Sequence, residues 1–208
     1  MNYNLISGLS DLSGELGEST TNKTPKRVGY YNDAVVQFAG DRKWPFLVKK
    51  NTELTTVAAQ QTYTIPASMD DRRSPGFIKS IYIQGSAIPI APANYYTDEE
   101  ETTITFLNEI AVTGRVLTIH YYYIPTRLTD PEDTNTEFPI PDRYRKTVST
   151  LAAAFVQWSR YLDAQGNRLY NLYEKMVQGV TNQQSEVNTG AAKRKRHFLQ
   201  DIGFKRTY

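Results

Sequence analysis

The sequence predicts an α+β protein. A helical bundle, made of an N-terminal helix pair and a long C-terminal αα-hairpin, carries an antiparallel β-rich insertion and an extended C-terminal arm. The hydrophobic period changes from helical to alternating at Arg42-Lys43-Trp44-Pro45-Phe46-Leu47. It changes back between Tyr121-Tyr122-Tyr123-Ile124-Pro125 and Phe138-Pro139-Ile140-Pro141-Asp142-Arg143-Tyr144. A third observation is the polar run Thr181-Asn182-Gln183-Gln184-Ser185, which closes the folded body. Residues 1–45 and 139–185 are thus expected to form the helical body, 46–125 the insertion and 186–208 the arm.

Leu5, Leu9, Leu12 and Leu16 make a narrow helical stripe over residues 3–16, which Gly8 and Gly14 weaken, so the helix needs packing to form. Thr24-Pro25 is a helix start: the threonine hydroxyl can cap free N–H groups, and proline suits the first helical position. Val28, Tyr31, Val35 and Phe38 follow on one face, and Pro45 ends the helix near Trp44. Thr52–Val57 and Gln61–Ile65 are β-branched, alternating and joined by a short polar link, so they read as a hairpin. Further strands are expected at Phe77–Ile83, turning at Gly85-Ser86, at Thr102–Leu107 and at Arg115–Ile124. The last has apolar groups on both faces, the pattern of a strand covered twice.

Beyond Pro141, Tyr144, Val148, Leu151, Phe155, Trp158 and Leu162 recur at helical spacing, with Pro141 placed near the first helical position. Full burial of six such side chains would contribute on the order of 10 kcal/mol. Gly166-Asn167 is read as the break, after which Leu169, Leu172, Tyr173, Met176 and Val180 continue on a second, antiparallel helix.

Composition narrows the function. The 208 residues include no cysteine, which excludes disulfides, thiolate zinc sites and cysteine nucleophiles. No apolar run reaches the length of a membrane span, and Met1-Asn2-Tyr3-Asn4 does not open a signal pattern, so residence in the cytosol is expected. Fifteen tyrosines suit surfaces that are partly wet and partly buried. The net charge of +2 conceals an asymmetry. Residues 187–208 carry six basic groups against Asp201, which leaves the rest of the chain weakly acidic.

Candidate chemistry is sparse. His120 and His197 have no spacing suited to metal ligation or a triad, and packing is the stronger reading for His120. There is no phosphate loop, nucleophile elbow or zinc-protease helix. The carboxylates of Asp98-Glu99-Glu100-Glu101 and Asp130-Pro131-Glu132-Asp133 could serve a glycosidase, but they are expected in polar loops where solvation keeps them ordinary. No enzyme activity and no cofactor or metal is expected. Trp44 and Phe46 could stack a ligand, yet packing at a helix–strand junction is the commoner use. Lys193, Arg194, Lys195 and Arg196 could tether nucleic acid, the main alternative reading, or simply be a solvated charge run. A purely electrostatic arm has no need of Phe198, Leu199, Ile202, Phe204 and Tyr208 beside those charges. Such a mixture suits a segment that folds onto a protein groove.

In order and spacing, these segments resemble the head-to-tail adaptor (connector) proteins of tailed bacteriophages. The likeness runs over residues 3–180, through Tyr30-Tyr31-Asn32-Asp33-Ala34, Trp44-Pro45-Phe46-Leu47 and Tyr63-Thr64-Ile65-Pro66. It continues in Tyr121 to Pro125, Leu128-Thr129-Asp130, Ile140-Pro141-Asp142-Arg143-Tyr144 and Ala152-Ala153-Ala154. The resemblance implies a homo-oligomeric ring of about twelve subunits, closed by heterologous contacts and docked on the portal protein. Tail or tail-hub proteins would attach below it, and genomic DNA would pass through its lumen at the virion's head–tail junction after assembly in the host cytoplasm. The residues from Lys193 to Tyr208 would be the portal-docking arm. Trp44, Pro45, Phe46, Tyr123, Pro125, Pro141 and Tyr144 would form the junction between helices and sheet.

Overall fold

A computed structural model of the chain describes residues 2–179, with 75, 109, 111 and 134 excepted. Among the described residues it is a mixed α and β protein with four α-helices and three antiparallel sheets.

Strand β1 (Asn2–Asn4) leads directly into helix α1 (Leu5–Glu15). Asn4 caps that helix by accepting the Ser7 N–H at 3.0 Å. Leu5, Leu9 and Leu12 are buried as their spacing predicts. Gly8 lies against the Tyr31 ring so closely that a Cβ there would collide with it. The α1 C-terminus is a Schellman motif: Glu18 N–H bonds to Ser13 O at 2.9 Å, and Gly17 sits at φ 69°.

Helix α2 (Pro25–Asp41) begins where proline predicts, but the Thr24 side chain makes no capping bond. Thr24 serves through its backbone, its carbonyl accepting from Arg27 and Val28. The helix stops three residues short of Trp44, because its last carbonyls find partners from outside. The Trp44 indole donates to Phe38 O at 2.7 Å, and Arg73 donates twice to Gly40 O, at 3.0 and 2.7 Å.

The predicted Thr52–Ile65 hairpin does not form. Strand β2 (Val48–Asn51) pairs with β7 (Leu117–Tyr122), and β3 (Thr62–Thr64) pairs with β6 (Thr103–Phe106) in another sheet. Alternation marked Thr62–Thr64, but over Thr52–Val57 the chain forms only an isolated bridge, Thr55 to Val116, and the strand lies before it at Val48–Asn51. Residues 54–56 run on beside the start of β7, with Leu117 N–H bonded to Leu54 O and Thr56 N–H to Arg115 O. The remaining strands are β4 (Ile78–Ile83), on the other edge of β7, and β5 (Tyr95–Thr97), beside β6. The sheet orders are β2-β7-β4 and β3-β6-β5. On β7, Leu117, Ile119 and Tyr121 are buried while Thr118, His120 and Tyr122 are half-covered. Its double apolar character therefore goes with its central place in the sheet, and only one face is fully covered.

Strand β8 (Glu137–Pro141) pairs with β1, and a 3-10 turn (Asp142–Tyr144) then leads into α3 (Arg145–Ser159). Pro141 is thus the last strand residue and precedes the turn, where its φ of −58° suits extended backbone. Tyr144, Val148 and Leu151 of the predicted ridge are buried, but Phe155 and Trp158 are half-buried and Leu162 is 42% exposed. Burial instead wraps round the first three turns of α3, taking in Thr147, Ser149, Thr150, Ala152, Ala153 and Val156, because α1 and α2 both pack on it.

The helical run breaks at Arg160–Leu162, before the predicted Gly166-Asn167, and α4 (residues 163–179) follows. Tyr161 takes φ 60°, and Leu162 N–H bonds to Gln157 O, which makes a second Schellman motif. Gly166 lies within α4 against Trp158, where a Cβ would collide with the indole, so its small size serves close approach. Trp158 donates to Asn167 at 3.2 Å and packs on Tyr170 at 5.6 Å. Tyr173 of α4 donates to Asp41 at the end of α2. One hydrophobic cluster, from Tyr3 to Val177, unites helices and sheets.

Candidate functional site: the aromatic junction and its surroundings

Four rings meet where the helices join the sheet. Trp44, 3% exposed, stacks on Phe38 at 4.5 Å and on Phe46 at 5.5 Å. Tyr144 lies against all three, at 5.3 Å from Trp44, 5.2 Å from Phe46 and 5.7 Å from Phe38. Rings at such separations add about 0.5–1.5 kcal/mol per pair beyond their buried area. Pro45 is exposed at the rim and Phe46 is half-buried, while the Arg143 guanidinium lies 4.9 Å from the Tyr144 ring.

The second passage reaches the same place. Tyr123 donates its N–H to Leu47 O at 3.3 Å, and its buried ring receives the Lys49 ammonium at 4.4 Å. Burial, then the Asp71 carboxylate, pushes the Tyr123 phenol above its usual range. Pro125 is buried beyond it and Pro141 half-buried before Tyr144. The structure therefore brings Trp44, Phe46, Tyr123 and Tyr144 to one boundary.

The connection from Pro125 to β8 is held to α2 by a side chain that pattern reading did not single out. Asn32 is buried, accepts Leu128 N–H at 2.9 Å, and donates to Leu128 O at 2.8 Å and Val28 O at 2.9 Å. It thereby imitates a strand partner for Leu128. Arg127–Asp33 at 2.6 Å and Lys23–Glu132 at 2.7 Å flank it in solvent and add little. An asparagine in the middle of a helix is the sequence signal for such a role, since it is otherwise a poor choice there.

The acidic clusters make turns. Asp98 accepts from the Thr102 hydroxyl at 2.5 Å and Thr103 N–H at 2.8 Å, and these bonds lower its pKa. Asp133 is lowered in the same way by Thr136, then by Asn135 N–H. Glu101 departs from the expected solvated carboxylate: it is 6% exposed, at φ 53°, and accepts Gly76 N–H at 2.6 Å. The Arg72 guanidinium donates to its carbonyl at 3.0 Å. Burial there follows from closing the loop onto the start of β4.

His120 is half-buried with its ring 5.5 Å from Tyr82. No group of acidic and histidine side chains suited to a metal occurs among the described residues. The upward pKa shifts fall mainly on tyrosines. Tyr3, Tyr31 and Tyr173 are raised chiefly by burial, and Tyr121 is pushed up to about 12 by burial and then Asp71. Phenols held neutral in a core are a mark of packing. His197 and the arm residues Lys193, Arg194, Lys195, Arg196, Phe198, Leu199, Ile202, Phe204 and Tyr208 lie outside the described residues.

The model of the SU10 adaptor protein family matches residues 7–195, a span that takes in both passages, the Asn32 pin, most of α1 and the other three helices. The chain belongs to the SU10 adaptor protein family. Among curated proteins no match is found. The adaptor is accordingly a structural protein of the phage head–tail junction. Among its described residues no helix is long and apolar enough to cross a membrane.

Proposed function

We propose that the adaptor forms a homo-oligomeric ring that docks on the portal, receives tail proteins below and lets the genome pass through its lumen. The family match over residues 7–195 carries this reading. In it, residues 1–45 and 139–185 make the ring body with α3 and α4 as its αα-hairpin, 46–125 project as the sheet module, and 186–208 are the portal-docking arm. A weakly acidic body supports the reading, because adhesion to passing DNA needs basic groups and the basic surplus lies in the arm. The arm's apolar residues supply what a protein groove can bury.

The test is truncation after residue 185, with portal rings as the binding partner. Portal binding is expected to be lost while the thermal unfolding of the adaptor stays within about 2 °C, since the core from Tyr3 to Val177 is kept whole in the truncated chain. Undiminished docking by the truncated chain refutes the assignment of the arm. Tight DNA binding by the full chain that falls steeply with salt, and disappears on truncation, would favour the nucleic-acid reading instead.

A further inference from the structure

Among the described residues the same helix-ending motif occurs twice, with opposite choices at its left-handed position. At the end of α1 that residue is Gly17, the local optimum. At the end of α3 it is Tyr161, at φ 60° and 93% exposed. A bulky aromatic residue is disfavoured in this conformation, and a ring wholly in water recovers nothing within its own copy. Leu162, beside it, is 42% exposed.

A few residues further on, the chain presents a cleft of about 870 Å³ between the ends of α1 and α3 and the length of α4. Leu169 and Leu172 form its apolar wall; Arg168 and Lys175 bring two cations to it and Glu15, 3.9 Å from Lys146, one carboxylate. Neither cation has a carboxylate partner among the described residues. Beside the Tyr161 protrusion, Arg160 is held by Glu18 at 3.2 Å, and exposed Asp163 brings a carboxylate.

We propose that Tyr161 and Leu162 of one copy insert into the α1–α3–α4 cleft of the next copy, with Asp163 facing Arg168 and Lys175. Knob and hole adjoin, Ala164 and Gln165 lining the cleft just after Asp163, and insertion in one direction only makes a heterologous contact that repeats from copy to copy until it closes. The inference rests on the ring proposed above and names its seam. It also gives Tyr161 the reason for its conformation that the isolated copy lacks: the turn projects the ring outward, where a neighbour can bury it.

The chain's lack of cysteine makes a clean cross-linking test possible. In the full chain, Tyr161→Cys is combined with Lys175→Cys and treated with a short bismaleimide. Within one copy the two sites are separated by about 18 Å of helix, beyond the reach of such a linker. A ladder of covalent dimers, trimers and higher species from the double variant, with neither single variant giving more than background, is the expected result. Multimers that assemble but give no ladder, or that yield a closed dimer through Tyr161→Cys alone, overturn the seam and leave the ring standing. Wild-type chain that stays solitary both alone and with portal overturns ring and seam together.

Tyr161→Asn guards against a misfolded variant, because asparagine tolerates the left-handed conformation. Its melting temperature should equal or exceed that of the wild type while self-association weakens at least tenfold. Association within twofold of wild type overturns the proposal.

Discussion

Replacing Trp44 by alanine removes a side chain that serves both the core and the end of α2. A tryptophan buries about 150–250 Å². At about 25 cal/mol per Å², leaving that area out of the core costs roughly 4–6 kcal/mol before relaxation. Large-to-small aromatic substitutions in cores cost about 3–5 kcal/mol in total. The lost indole bond leaves Phe38 O without its donor, worth about 1 kcal/mol within that total. For a chain of this size, such a loss lowers the melting temperature by roughly 6–20 °C. Urea unfolding followed by far-ultraviolet circular dichroism is the suitable assay, since it does not depend on the fluorescence of the deleted indole. An unchanged denaturant slope confirms that stability itself has moved. Trp44→Phe keeps a ring in the stack and should cost about 1–2 kcal/mol. A loss below 1 kcal/mol for Trp44→Ala would show that the four-ring cluster is not the junction's main support.

Two glycines of α1 should respond in opposite directions to alanine. Gly8→Ala drives a methyl into the Tyr31 ring and should destabilise by about 1–3 kcal/mol, whereas Gly14→Ala meets nothing within 4 Å and should stabilise by about 0.5–1 kcal/mol, both read by urea titration. Asn32→Ala strips Leu128 of both backbone partners and should cost about 1–3 kcal/mol, with faster amide exchange of Leu128 as the local readout. Stability should fall as pH rises above 10. Tyr3, Tyr31, Tyr121 and Tyr173 keep their protons in the fold beyond the pH at which they lose them in the unfolded chain, so the folded state binds more protons in that window. Tyr31→Phe should flatten that alkaline decline in equilibrium unfolding, and an unchanged slope would count against burial as its cause. At the acid end, burial raises the Asp41 pKa, so its contribution is fullest below 3.8 and is lost as pH rises through the folded value. Asp41→Asn should remove that component.

Much of the fold was legible because local rules agreed with one another. Pro25 started α2 where it should, the leucines of α1 are buried at their predicted spacing, and the strands at Ile78–Ile83, Thr103–Phe106 and Leu117–Tyr122 lie inside their alternating runs. What escaped was pairing and direction. Alternation at 52–65 named no partner, and long-range closure left Thr55 bridged to Val116 while Thr62–Thr64 paired with β6 in another sheet. The break between α3 and α4 was misplaced because glycine is the usual marker of such a turn and this turn uses tyrosine. Around the junction, Trp44 and Tyr144 stood out through their prolines and spacing. Asn32 and Glu101 did not, because what defines them is a partner distant in sequence: Leu128 for one and Gly76 for the other.

The two passages between helices and sheet run side by side, tied at Leu47–Tyr123 and at Phe46–Tyr144. A pull on the β-rich part is therefore met by two covalent crossings in parallel, with the stacked rings resisting shear between them. A single crossing would act as a swivel; a doubled one resists both twist and bending. Relative motion of sheets and helices is therefore restrained at two points at once.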